Sequence, residues 1–296
     1  MSLDLEGVAP LPPGIGLGWK AEAEQQHAQA LAKLERKLVS VSDTVRIPRE
    51  LNIRHWMDLE YQGEVPQCAG AAVTHAAQAH SWVVEGLDTA RQSIDLSMTF
   101  SWLAGRAQDG TSPAEYDSGA TISGVCLAAH TTGMVLERDF ASIKDRRQWN
   151  ARQLATLKPG ALGQYSAMRI RAQAPVESAE HAQTMMGSGQ GFIVFGVNWT
   201  EGWASVGEKP IEAIPGGRNY GGHAIALLGY ERLRYGTLYL TVANSHGPRW
   251  GQGGYAPIRA DLWWQIVQSS PFGARVLSVT DEFYIRPFAG WKGVQG

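Results

Sequence analysis

Cysteine is nearly absent from this 296-residue chain, which holds only Cys68 and Cys126. Two thiols cannot build a disulfide framework or, alone, a zinc site, and neither a metal nor a cofactor is expected. An excess of charge of either sign is also missing. A net charge of −2 and a pI of about 6.5 give no bulk electrostatic ground for a nucleic-acid or anionic-membrane partner. No apolar run approaches the roughly 18 residues of a spanning helix. The opening MSLDLEGVAPLPPG has neither the basic nor the apolar region of a secretory signal, so a cytoplasmic or virion-associated setting is the expectation. What the chain does have is a composition that is 44% hydrophobic and 18% charged, enough for one large core or two packed lobes.

The stretch from Tyr61 to His80, YQGEVPQCAGAAVTHAAQAH, places a thiol at the mouth of an expected helix. Gly63 and Pro66 oppose helix before Cys68. Small, helix-tolerant residues follow it, with Val73, Ala76, Ala77 and Val84 at roughly helical spacing. A thiol in the first turn faces unpaired N–H groups and the positive end of the dipole, which lowers its pKa toward a reactive thiolate. The alternative reading is a small apolar core residue, the usual fate of a free cysteine; Cys126, on an expected buried helix face, is read that way.

Upstream, the proline- and glycine-rich run to Gly18 predicts an extended arm. Trp19 to Val39 predicts a helix with a thin stripe of Leu31, Leu34 and Leu38, suited to docking on the main body or on a partner chain. Further helices are expected over Ile94–Arg106, Ala120–Met134 and about Ser178–Met186. From Met168 the pattern turns to strands: Met168–Ala172, Phe192–Val197, His223–Tyr230, Leu238–Ala243 and Val276–Ile285. Helices in front and strands behind predict an α+β fold with segregated lobes.

A cysteine nucleophile needs a base, and the base needs a group to fix its tautomer. His223 opens an apolar strand behind Gly221 and Gly222, and Asn244 closes the next strand. Each has an ordinary structural alternative, a core histidine and a turn asparagine. Their order and context together resemble the papain-like cysteine peptidases, closest in style to bacterial and phage members. Gln62, Gly63 and Cys68 match that family's Gln-Gly-x-Cys-Gly-Ser-Cys stretch. Gly222-His223-Ala224 with Gly229-Tyr230 matches its histidine strand. Asn244-Ser245-x-Gly247-x-x-Trp250-Gly251-x-x-Gly254-Tyr255 matches its Asn-Ser-Trp-Gly-x-x-Trp-Gly-x-x-Gly-Tyr segment. Asp117-Ser118-Gly119-Ala120 resembles the wall that contacts substrate backbone.

The resemblance covers about Ile47 to Pro287. It implies a peptidase domain over residues 46–288, with a helical lobe at about 62–165, a β-rich, barrel-like lobe at about 166–288 and the site in the groove between them. Residues 1–45 stand outside as an arm and helix, too short to be the long inhibitory pro-segment of secreted members, and residues 289–296 form a tail. It further implies a hydrolase: an endopeptidase in which Cys68 attacks a peptide carbonyl, His223 carries the proton and Asn244 orients it. Gln62 and the Cys68 N–H would bind the oxyanion, and Gly119, Ala120, Gly222, His246 and Trp250 would line the substrate groove. The implied partner is a peptide or protein substrate. Three departures stand out. Val65-Pro66-Gln67 replaces Cys-Gly-Ser and so removes a disulfide, Ala69 replaces an aromatic, and His246 replaces the tryptophan that shields the Asn–His bond. These departures also leave a structural or binding protein on the same fold, for example a phage-particle component, as the alternative.

Overall fold

Alternating and apolar runs from residue 168 onward need partners for their backbone groups, and they find them in each other. The computed structural model describes residues 17–34, 46–55, 57–85, 94–111, 118–148, 166–233 and 235–281. Among these, seven strands form one antiparallel sheet: β1 (Glu50–Asn52), β2 (Met168–Pro175), β3 (Phe192–Thr200), β4 (Asn219–Arg232), β5 (Leu238–Ala243), β6 (Tyr255–Arg259) and β7 (Ala274–Asp281). The order is β2-β7-β3-β4-β5-β6, with β1 on β4. The long β4 is central. It pairs with β3 in a register that sets Val197 opposite His223 and Asn198 opposite Gly222.

The helices are α1 (Ala28–Leu34), preceded by a 3-10 turn at Ala21–His27, α2 (Cys68–Glu85), α3 (Met98–Gln108), α4 (Ile122–Thr131), α5 (Ala179–Gly187), the short α6 (Glu201–Ala204) and α7 (Ala260–Ser269). The α+β expectation holds. Helix α2 begins at Cys68, and its residues through Trp82 are buried on every side, as its run of alanine and valine allows. It packs against β4, α3 and β7. Ser97, Thr121 and Ser178 cap α3, α4 and α5, each accepting from the backbone N–H three residues on.

Three helical elements start later than the sequence pattern suggests: α3 at Met98 rather than Ile94, and two more for one shared reason. The N-terminal helical segment begins at Ala21 rather than Trp19, and α4 at Ile122 rather than Ala120. The backbones of residues 18–20 and 120 are bonded to each other: Ala120 N–H donates to Gly18 O at 2.7 Å and Lys20 N–H to Ala120 O at 3.1 Å. The expected arm residues 1–16, helix residues 35–39, Asp117 and the tail 289–296 lie outside the described residues. Among the described residues no helix is long and apolar enough to cross a membrane, and no group of His, Cys, Asp or Glu could hold a metal ion.

Candidate active site

The loop ahead of α2 is fixed by buried amides. Gln67, where the papain-like pattern has serine, donates from Nε2 to Gln62 O (3.0 Å) and Ile143 O (2.7 Å) and accepts from Thr99 Oγ1 (2.6 Å). Gln62 is wholly buried. Its backbone N–H donates to Ser245 O, its Oε1 accepts from Ser245 Oγ at 2.5 Å, and one Nε2–H goes to Val65 O at 2.9 Å. A direct link therefore runs from the Cys68 loop to the residue after Asn244.

Cys68 sits at the first position of α2 with its sulfur buried. The sulfur accepts from the N–H of Ala224, the residue after His223, at 3.4 Å. His223 is equally buried, four residues into β4 rather than at its start. Its Nε2 pairs with Asn244 Oδ1 at 2.8 Å, which assigns the proton to Nε2 and leaves Nδ1, buried and without a hydrogen-bond partner, as the basic nitrogen. The structure thus brings His223 and Asn244 into contact and sets Cys68 against the strand that carries His223.

The ring of His246 lies 4.4 Å from that of His223. Trp199 of β3 meets both edge-on, at 4.5 and 4.6 Å, and stacks on Trp203 at 6.0 Å. Trp250 stands 6.3 Å from Trp199 and donates from its indole to Trp203 O. Where His246 replaces the tryptophan of the papain-like pattern, Trp199 packs against both imidazoles. The sequence signal for it was weak: one tryptophan at the end of an apolar strand, opposite Gly221.

The remaining expected groove residues all meet the chain's own arm. Gly119 is so close to Gly18 that a Cβ on it would lie 1.9 Å from Gly18 O, Ala120 pairs with residues 18 and 20, and Gly222 O accepts from Trp19 N–H at 3.4 Å. Residues 18–20 therefore run along these expected groove residues. An amide N–H, not a carbonyl carbon, faces the Cys68 sulfur.

That burial overturns one expectation. Desolvation pushes the Cys68 thiol up to about 11, against the pull of the N–H groups of Ala224, Gly18, Ala69 and Cys68 itself. It also holds His223 well below the usual imidazole range, helped by His246 and opposed by Asn244. The helix N-terminus was expected to yield a thiolate. With water excluded, the resting pair is a neutral thiol and a neutral imidazole.

No family profile and no curated protein matches the sequence. Solved structures do match. Xylellain, a cysteine protease from Xylella fastidiosa, is similar at a TM-score of 0.66 over 92% of this chain and 98% of its own, with 18% identity. The ragweed pollen cysteine protease Amb a 11, in its proform, gives 0.57 over 87% and 74% at 15% identity. Bromelain from Ananas comosus, in complex with the E64 inhibitor, gives 0.54 over 78% and 99% at 15% identity. The chain has the papain-like fold. On this fold the sequence-matched residues Gln62, Cys68, His223 and Asn244 fall on the loop, helix start, strand and strand end described above. Residues that the motif match did not reach are Trp199, which backs the histidine, and Gly18, Trp19 and Gly196, which form the arm and its seat.

Proposed function

We propose that the chain is a cysteine endopeptidase whose groove is closed by its own arm. The supporting observation is the pairing of His223 Nε2 with Asn244 at 2.8 Å beside a helix-opening Cys68 whose sulfur touches the next residue of the same strand. With the arm displaced, water returns, His223 Nδ1 takes the thiol proton, and the sulfur attacks the peptide carbonyl carbon, forming a C–S bond. The developing oxyanion takes the Cys68 N–H and a Gln62 Nε2–H. His223 passes its proton to the leaving nitrogen as the C–N bond breaks. Water, deprotonated by the same imidazole, then cleaves the thioester and restores the thiol.

The test is iodoacetamide labelling and peptide-library cleavage by the parent and by Cys68→Ser, His223→Ala and Asn244→Ala chains. Cys68→Ser should abolish both signals, and His223→Ala should slow neutral-pH labelling by about 10²-fold or more. Labelling indifferent to His223, with no peptide cleaved even after arm displacement, would favour the scaffold reading, for which the filled and neutral groove is the supporting observation.

A further inference from the structure

The loop from Gln62 to Cys68 carries both oxyanion donors of the proposed site, and no disulfide reaches it, because the two cysteines of the chain are free. Hydrogen bonds hold it instead. Gly63, with a φ of 67°, turns the loop against the chain at Lys144, and the Glu64 N–H donates to Lys144 O at 3.0 Å. Val65 O accepts twice, from the Gln67 N–H at 2.8 Å and from Gln62 Nε2 at 2.9 Å. Gln62 O is taken by the Gln67 side chain.

Gln67 is wholly buried, and its surroundings fix which way its amide points. Two carbonyl oxygens, of Gln62 and Ile143, face one end of it, and the Thr99 hydroxyl faces the other. Only Nε2 can donate to two carbonyls, and the flipped amide would set its oxygen against both. Thr99 Oγ1 accepts in turn from the Ile143 N–H at 2.8 Å, which closes a ring of Gln67, Thr99 and Ile143. The serine of the papain-like pattern has a single donor on a shorter side chain and could not bridge both carbonyls.

We infer that Gln67 is a positioning residue for the oxyanion donor Gln62 and does the work of a covalent tie. Its amide anchors the Gln62 carbonyl to Thr99 and Ile143 on the helical side, while Ser245 O holds the Gln62 N–H on the sheet side. The inference rests on the peptidase reading of Cys68 and His223. An oxyanion donor is effective only at roughly 2.7–3.1 Å from the developing charge. A loop free to drift by about an ångström would forfeit it.

The experiment compares peptide turnover with iodoacetamide labelling of Cys68 in full-length variants. Alkylation of the sulfur develops no oxyanion and is indifferent to the Gln62 donor, whereas acylation by a peptide depends on it. Gln67→Met, close in shape but without donors, should lower kcat by about tenfold or more and leave the labelling rate close to that of the parent. Combined with Gln62→Ala, it should lower kcat no further than Gln62→Ala alone, because its action passes through that residue. Thr99→Val should show the same split, and Thr99→Ser, which keeps the hydroxyl, should recover turnover. Losses that add, turnover and labelling that fall together, or a Gln67→Met chain as active as the parent would each overturn the inference and leave the peptidase reading intact. If Gln67→Met does not fold, the two Thr99 variants decide alone. A parent chain that neither labels at Cys68 nor cleaves any peptide would instead sink the peptidase reading, and this inference with it.

Discussion

A buried thiol and a buried imidazole favour neutrality for the same reason: each would have to carry its charge without water. Burial pushes the thiol pKa up to about 11, so Cys68 is protonated at neutral pH while residues 18–20 cover it. Alkylation of the parent chain should therefore accelerate steadily as pH rises from 7 to 10. A chain whose arm is displaced should react faster at pH 7 and depend less on pH; identical profiles would show that the arm does not control the sulfur. Gln62→Ala should lower kcat by about 10²-fold with folding intact if its second Nε2–H serves the oxyanion. Loss of folding would show that the bonds to Val65 and Ser245 are its main task. His246 lies against His223, and a proton on it disfavours the imidazolium of its neighbour. His246→Trp should then shift the acid limb of the pH–rate profile between about pH 5 and 8. Superimposable profiles would make His246 a bystander.

Among the elements, α4 carries the most informative contact. Glu24 of the arm lays its carboxylate on the first turn of α4, accepting from Ile122 N–H at 2.5 Å and Ser123 N–H at 3.1 Å as well as from the Trp19 indole. His27 pairs with Asp109, which also holds Thr121, the α4 cap. Burial raises the Glu24 pKa above 4.5 in spite of these donors. A carboxyl that binds its proton more tightly when docked makes docking strongest below about 4.5 and weaker as pH climbs through the docked pKa. Arm release, followed by Cys68 labelling, should thus increase from pH 4 toward pH 7, and Glu24→Gln should flatten that dependence. A parent chain that opens on acidification would reverse the sign.

The element boundaries also show what sequence could convey. The start of α2 was legible from Pro66 and the small residues after Cys68, and the starts of α3, α4 and α5 lie next to serine and threonine caps. Helix α7 has helical apolar spacing in Trp263, Ile266 and Val267, but no side-chain cap marks its start at Ala260 behind Arg259. The late starts after Lys20 and at Ile122 were hidden because bonds across about a hundred residues, Gly18 to Ala120, outcompeted local helix propensity. The identities of Cys68, His223 and Asn244 stood in the motifs. The neutrality of the thiol and the imidazole did not, because it depends on what covers them.

For the molecule as a whole, residues 17–34 share one core with the body through Trp19 and Leu31, and the body keeps strain of its own elsewhere. Glu60, half-buried near Glu137 and Asp95 and only loosely paired with Lys144, has its pKa pushed up to about 7, chiefly by burial. Its folded pKa exceeds 4.5, so it disfavours the folded state increasingly as pH rises from about 4.5 through 7. Glu60→Gln should raise Tm at pH 8 relative to the parent and have little effect near pH 4.5; an equal effect at both would point to packing instead. Removing residues 1–40 should raise Cys68 labelling and peptide turnover, and unchanged values would reduce the arm to a tail.

A segment joined to the groove it fills is a competitor that never dilutes. Its local concentration is set by the tether, commonly on the order of millimolar for a short linker, and does not fall as the protein is diluted. Every substrate must therefore outbid the same fixed rival. If K is the ratio of docked to undocked arm, the apparent KM is multiplied by 1 + K while kcat at saturation is untouched. Peptides that fit the groove poorly are turned away at cellular concentrations, whereas those that fit it better than residues 18–20 get through. On the proposed peptidase reading, the arm of this chain acts as a threshold on affinity, and its strength decides how many proteins are cut.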